Sequence, residues 1–556
     1  MITFRSASAA VLVLPALLAA QSALPTKHAP QQTVPPITAT DLMTRLYILA
    51  DDSMMGRRAG TEGNLKGTTY IESEVRRLGL VPAGDSGGYF QSLPMVRREL
   101  AVESTLSVDG QPLAMWTDFA PFPSRPGARS LDGVQAIFGG TLGDSTSSLT
   151  PAQAAGRFVV VRPPPGGRLI FPRVTDGSPL SGAAAVGVVG LDSAPPFLLS
   201  SLRRPQTTMR RQRSADSPQP PAMMLLGSRA AALLLGAPLD STTKAGMTGK
   251  LMRGSISFTE TVAPARNVVA ILPGSDPRLR GEYVAIGAHN DHIGVASRAV
   301  DHDSLRAFNL ALHRLGATDP FTNVTPAMRQ QVHVNVDSLH RIQPARMDSI
   351  SNGADDDGSG SVSVLEIAEA LATAEAMPKR SILFVWHTGE ELGMLGSAWF
   401  TDHPTVPRDS IVAQLNLDMV GRGGAEDIAG GGPRYLQLVG SRRLSTELGD
   451  LVETVNRGRR TPFTLDYSMD ANGHPERIYC RSDHASYARY GIPVTFFTTG
   501  QHFDYHQVTD EPQYIDYQHM AAVAGFVHDV ALRVANLDHR VVVDKPGSAP
   551  TAACVQ

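Results

Sequence analysis

The sequence predicts an α/β fold: a mixed, mostly parallel central sheet flanked by helices, with a β-rich domain inserted into the chain. Three observations predict it. From about residue 265 onward, short apolar runs suited to buried strands alternate with stretches of helical periodicity, the pattern of a sheet with crossover helices. Between 101 and 261 the texture changes to short β-rich runs broken by Gly, Pro and Ser clusters. Residues 38–100 open with helical patterns instead, so the α/β part is split around the β-rich block.

The elements follow in chain order. Arg5 precedes an apolar run over 9–20, interrupted by Pro15, and small residues follow it (Ala19, Ala20, Ser22, Ala23). This is the layout of a secretory signal peptide over 1–23. The competing reading is an uncleaved membrane anchor, for which the run is short. Residues 25–36 read as a flexible mature N-terminus. Thr40 precedes a helix carrying Leu42, Leu46 and Leu49, and 62–78 is a second helix with Tyr70, Ile71, Val75 and Leu78 on one face, ended by Gly79. In the inserted block 134–138, 158–161 and 186–191 read as strands, and 203–221 as an exposed loop. In the α/β part, 262–540, strands are expected at 267–272, 283–288, 381–386, 411–419 and 492–497, with helices at 362–374 and from 395. Residues 296–351 do not fit this alternation. They form a partly helical insertion, with Leu305, Phe308, Leu312 and Leu315 spaced as one helical face.

The chain has 556 residues, 42% hydrophobic and 19% charged, with a formal net charge of -3. That is an ordinary globular balance, without the basic excess that draws a protein to nucleic acid. The two cysteines, Cys480 and Cys554, lack zinc-type spacing. They stand either as a pair or as two free thiols.

Five short segments carry chemistry, most of them just after expected strands: His289-Asn290-Asp291-His292, Asp355-Asp356-Asp357 within a glycine-bounded turn, Glu390-Glu391, Asn416-Leu417-Asp418, and Asp504-Tyr505-His506. Strand ends in an α/β sheet gather at one rim. Carboxylates gathered and buried there need a positive partner, and no run of Lys or Arg supplies one. A cation resolves this. Two imidazoles with three carboxylates exceed the needs of one tetrahedral zinc and suit two ions sharing a bridging carboxylate.

The order and context of these segments resemble the co-catalytic zinc aminopeptidases, a family of bacterial leucyl and broad-specificity aminopeptidases related to glutamate carboxypeptidases. Ser482-Asp483-His484 and Gly491-Ile492-Pro493 add to the resemblance. It implies a zinc exopeptidase-like fold and two zinc ions per chain. His289 and Asp418 would hold one ion, Glu391 and His506 the other, and Asp356 would bridge them. Glu390 would be the general base, Asp291 would fix the imidazole of His289, and Tyr505 would polarise the scissile carbonyl. The implied substrates are peptides or small proteins, cut at the N-terminus, with no nucleic-acid partner. With the leader removed, the protein would be secreted or periplasmic and not stably inserted in a membrane. Residues 156–161, 182–192 and 224–236 resemble the protease-associated domain that many family members carry.

Other readings use the same fold. A carboxypeptidase or dipeptidase would need a basic pocket for a substrate carboxylate, for which Arg422 and Arg481 are the candidates near the motifs. Glutaminyl cyclases use the fold with one zinc, and receptor relatives have lost their ligands; the complete ligand set here weighs against both.

Overall fold

The computed structural model describes Val11–Leu12 and residues 24–556, except 125, 145–147, 165–168, 170, 173, 175–176, 211–219, 241, 318–323, 343, 429, 546 and 548. The leader expected over 1–23 therefore lies outside the described residues, apart from Val11–Leu12. The chain divides into two compact units, one of Met1–Leu93 with Pro264–Gln556 and one of Pro94–Ala263.

The first unit is built on a nine-stranded sheet. Its strands are β1 (Val81–Pro82), β2 (Phe90–Leu93), β3 (Ala265–Leu272), β4 (Tyr283–His289), β5 (Ser381–His387), β6 (Ile411–Leu417), β7 (Tyr435–Val439), β8 (Thr464–Asp466) and β9 (Val494–Thr498). The order is β1-β3-β5-β4-β6-β9-β7-β8, with β2 also paired to β3. The central four strands, β5, β4, β6 and β9, run parallel. Antiparallel strands border them on both sides, β3 beside β5 and β7 beside β9. Every residue of β5 and β6 is buried. This is why these strands read as continuous apolar runs rather than alternating ones.

The helices that matter here are α1 (Ala39–Leu49), α2 (Glu62–Arg77), α3 (His302–Arg314), α4 (Gly360–Ala372), α5 (Thr446–Gly458) and α6 (Tyr517–Ala535). α1, α4 and α6 join one apolar core with one face of the sheet, through residues such as Leu46, Leu365, Ile286, Trp386 and Val527. Each such side chain stabilises the unit by roughly 1.5–3 kcal/mol relative to exposure. Several elements of this unit, β7, β8, α5 and α6 among them, lie where no element was expected. Residues 25–36 are also not the free segment that their composition suggests. The Tyr47 hydroxyl donates to the Pro25 carbonyl, His28 meets Thr44, and Thr33 donates to Glu369 at 2.7 Å.

The insertion has its own order. Gly294–Asp301 pairs antiparallel with Met347–Ser351, closing its two ends together. Between them α3 turns an unexpected face inward. Its buried residues include His302, Arg306 and Asn309 as well as Ala311 and Leu312, whereas Phe308 and Leu315 only border a small cluster with Val332.

The second unit holds an eleven-stranded sheet. Four of its strands, Val134–Thr141, Phe158–Arg162, Ala185–Val189 and Ala222–Leu226, run parallel side by side. Met95–Leu100, expected with the first segment, pairs here with Thr248–Val262. The region expected as a loop over 203–221 instead contributes a strand, Gln206–Met209, which pairs with Met95–Arg98. Residues 211–219 lie outside the described set. Cys480 and Cys554 form a disulfide. Among the described residues no helix is long and apolar enough to cross a membrane.

Candidate functional site

The parallel strands deliver the predicted residues to one place. His289 ends β4, Glu390 and Glu391 follow β5, Asp418 follows β6, and His506 lies in the segment after β9. Asp356 comes from the turn that leads into α4. This is the carboxyl rim of the sheet, where the loops of an open α/β fold meet.

Asp356 faces two imidazoles with its two oxygens. Oδ1 lies 3.2 Å from His289 Nε2, and Oδ2 lies 3.1 Å from His506 Nε2. His289 Nε2 is 3.6 Å from Asp418 Oδ1, and His506 Nε2 is 2.9 Å from Glu391 Oε2. Glu390 sits at the edge, its Oε2 4.0 Å from His289 Nε2. Tyr505 stacks on His506 with ring centroids 3.9 Å apart.

The three consecutive aspartates divide three tasks, and only Asp356 turns to the imidazoles of His289 and His506. Asp357 Oδ2 accepts from the His289 N–H at 3.0 Å, and its Oδ1 accepts from Gly360 at 2.9 Å and Met419 at 3.2 Å. One carboxylate so ties the ends of β4 and β6 to the start of α4. The approach is close enough that a Cβ on Gly360 would come within 2.3 Å of it. Asp355 Oδ1 accepts from Gly421 at 2.6 Å, and its other oxygen lies 3.2 Å from His502 Nε2.

Asp291 meets the His289 ring through its backbone carbonyl more closely than through its carboxylate. Its carboxylate stands 3.8 Å from His289 Nδ1, which instead meets the Asp291 backbone carbonyl at 3.0 Å. The carboxylate accepts from the N–H groups of Gly389 at 2.7 Å and Glu390 at 3.1 Å, and so holds the turn that carries both glutamates.

Sequence reasoning missed further supports, because no local pattern marks them. Arg57, fully buried, donates to the carbonyls of Leu49, Asn290, Asn352 and Gly353 and so joins the segments before Asp356 and around His289. Asp510 accepts from the N–H groups of Asp355 and Asp356. Ser482 donates to Asp418 Oδ2 at 2.6 Å. Arg422, considered as a carboxylate receptor, is buried and committed to Asp427 and to Asp504 at 3.2 Å. Arg481 pairs with Glu476 at 3.1 Å.

The electrostatics call for a cation. Burial would lower His506, but the carboxylates of Asp356 and Glu391 outweigh it and hold the imidazole up at about 11. His289 is likewise driven well above its ordinary value by Asp418 and Asp356, against burial. Burial, reinforced by Asp418 and Glu391, pushes Glu390 well up. The protein alone would thus gather protons where these groups meet, which is how a cluster built for positive charge behaves. Several inward atoms also lack hydrogen-bond partners: His289 Nε2, His506 Nε2, Asp356 Oδ2 and Glu391 Oε1. Buried polar atoms are rarely left so. The donor set of imidazoles and carboxylates fits zinc.

The family model described as peptidase family M28 matches residues 267–531. Leucine aminopeptidase 1 of Aspergillus fumigatus is 29% identical over 211 residues, which are 35% of this chain and 50% of that protein. Its counterpart in Paracoccidioides brasiliensis is 31% identical over 218 residues, 36% of this chain and 51% of that protein. The chain spans about half the length of these curated relatives. Among solved structures, an aminopeptidase from an Aneurinibacillus species covers 92% of this chain and 97% of its own, with 16% identity and a TM-score of 0.49. The rim of buried His, Asp and Glu lies inside residues 267–531, the segment that matches the model of peptidase family M28.

Proposed function

We propose that this chain is an exported aminopeptidase that holds two zinc ions and releases N-terminal residues from peptides or small proteins. The observation that carries the reading is Asp356, whose two carboxylate oxygens face two different imidazoles. In this reading His289 and Asp418 would hold one ion and Glu391 and His506 the other, with Asp356 shared between them. The names of the fungal relatives point to the same activity.

When bound, the ions supply Lewis acidity and lower the pKa of a water. The protein's own groups do the rest. Glu390 takes the proton of the attacking water and hands it to the leaving amine. Its partial burial beside Asp418 and Glu391 raises its proton affinity, which suits a group that must both accept and release. Asp291 keeps Glu390 aimed through the backbone of its turn. Tyr505 stays a protonated phenol, since burial and the neighbouring carboxylates push its pKa well up, and so can donate to the developing oxyanion. The acidic rim attracts a substrate ammonium. Arg422 and Arg481 already have carboxylate partners, which disfavours carboxypeptidase action.

Export rests on the leader pattern over 1–23 and on the Cys480–Cys554 disulfide, which suits an oxidising compartment. Residues 94–263 act in this reading as a protease-associated domain.

The test is metal content of the purified protein with leucine-anilide hydrolysis by wild type and Glu390→Gln. Two zinc ions per chain, with hydrolysis reduced roughly 10²–10⁴-fold in a variant that keeps its zinc, is the expected outcome. One ion or none, or a variant as active as wild type, overturns the mechanism.

A further inference from the structure

His292 closes the first motif, three residues after His289, and the reading above gives it no task. Its side chain is fully buried. Nδ1 lies 2.7 Å from Glu391 Oε1 and 3.6 Å from Asp356 Oδ2. Despite that proximity, His292 Nδ1, Glu391 Oε1 and Asp356 Oδ2 all lack hydrogen-bond partners. His292, Asp356 and Glu391 each offer a possible ligand atom, and the three atoms lie within 4.8 Å of one another. His506 approaches the same residues: its Nε2 is 2.9 Å from Glu391 Oε2, and its ring meets that of His292 edge to face at 5.6 Å.

A buried imidazole alone is no argument. His484 is equally buried with both ring nitrogens unpartnered, but it stacks on Phe496 at 4.8 Å in an aromatic setting. What sets His292 apart is the pair of carboxylates at its Nδ1. The fold also makes room for it. Gly353 sits against the ring so closely that a Cβ there would lie 2.5 Å from it, at a φ of 57° that suits glycine. The His292 N–H reaches the carbonyl of Arg57 at 3.3 Å, and the Arg57 side chain holds both flanking segments.

We propose that His292, through Nδ1, is an additional protein ligand of the ion held by Glu391 and His506. The two metal positions are then unequal. One is lined by His289, Asp418 and Asp356; the other by Glu391, His506, His292 and Asp356. The richer position fills first and releases its ion last, because each added donor strengthens the hold on the metal. The proposal rests on the two-ion reading of this site.

The test is zinc X-ray absorption of the wild-type holoenzyme, with chelator competition for wild type, His292→Ala and His292→Asn. Three imidazoles shared between two ions are expected. In both variants one ion should bind at least roughly 10–100-fold more weakly, while the other keeps its affinity. The wild-type spectrum needs no variant to fold. Two ions with only two imidazoles between them overturn the His292 assignment alone, even if the variants bind more weakly, since His292 then only orients Glu391. A wild-type chain that takes up fewer than two ions overturns the two-ion reading, and the assignment falls with it.

Discussion

Arg306, on helix α3 of the insertion, forms a buried ion pair with Asp504, two residues before His506. Arg422 joins the same carboxylate from the segment after β6. The 296–351 insertion is thereby locked to the loop that bears His506. Breaking a buried pair by removing one partner costs on the order of 3–5 kcal/mol, less where a second cation remains. With Arg422 still on Asp504, Arg306→Ala should lose up to about 3 kcal/mol in urea unfolding. It should also lower kcat/KM roughly 10–100-fold by displacing His506. Unchanged stability and activity would show that the insertion is an excursion without a bracing role.

The same carboxylate has a pH signature. Burial works to raise Asp504, but Arg306 and Arg422 outweigh it and hold it at about 2. An ordinary aspartate titrates near ~3.9. The pair thus contributes stability above about pH 4, and that contribution is lost as pH falls toward 2. Thermal melts between pH 4 and 2 should show a shallower slope in Arg306→Ala than in wild type.

His484 predicts a second window. Burial lowers its pKa to about 3, against an ordinary value near ~6.5. Its contribution is complete above about pH 6.5 and is lost as pH falls from there to 3, by at most about 1.4 kcal/mol per pH unit. His484→Phe should flatten that part of the stability profile while keeping the stack on Phe496. An identical profile in the two proteins would place the slope elsewhere.

Ser482 bonds Asp418 Oδ2 and accepts from Asn416 at 2.9 Å. Partners of this kind set the orientation of a metal-binding carboxylate. Ser482→Ala should weaken zinc retention roughly 10–100-fold in chelator competition, with little change in melting temperature of the metal-free protein.

Substrate polarity is testable with paired compounds. Leucine amide carries a free amine and no carboxylate, whereas N-acetyl-leucine peptides carry the reverse. With Arg422 and Arg481 occupied by Asp427 and Glu476, the amide should be cleaved and the acetylated peptide left intact. The opposite preference would identify a carboxypeptidase.

Much of the site was legible because it follows strands. β4, β5, β6 and β9 are buried, mainly apolar runs; β4 ends on His289, and Glu390, Glu391, Asp418 and His506 lie in the segments that follow β5, β6 and β9. What was not legible depends on distant partners. The local pattern of α3 promises an apolar face, and its polar face is buried because Asp504 waits across the fold. Residues 25–36 read as free chain because their hydrogen-bond partners, Tyr47, Thr44 and Glu369, are elsewhere in sequence. Asp291 and Asp357 carry the same side chain as Asp356, and nothing local says which of them turns outward to backbone N–H groups.

The sequence by itself determined the α/β class, the strand ends that would carry His, Asp and Glu, and the need for a cation among them, since periodicity and composition are local properties. Only the tertiary structure decided which aspartate faces two imidazoles, that Arg422 is already paired, that Cys480 and Cys554 join, and that His292 points at Glu391. Those are facts of distance and direction between segments far apart in the chain, and they are set by how strands stack and helices pack around the sheet.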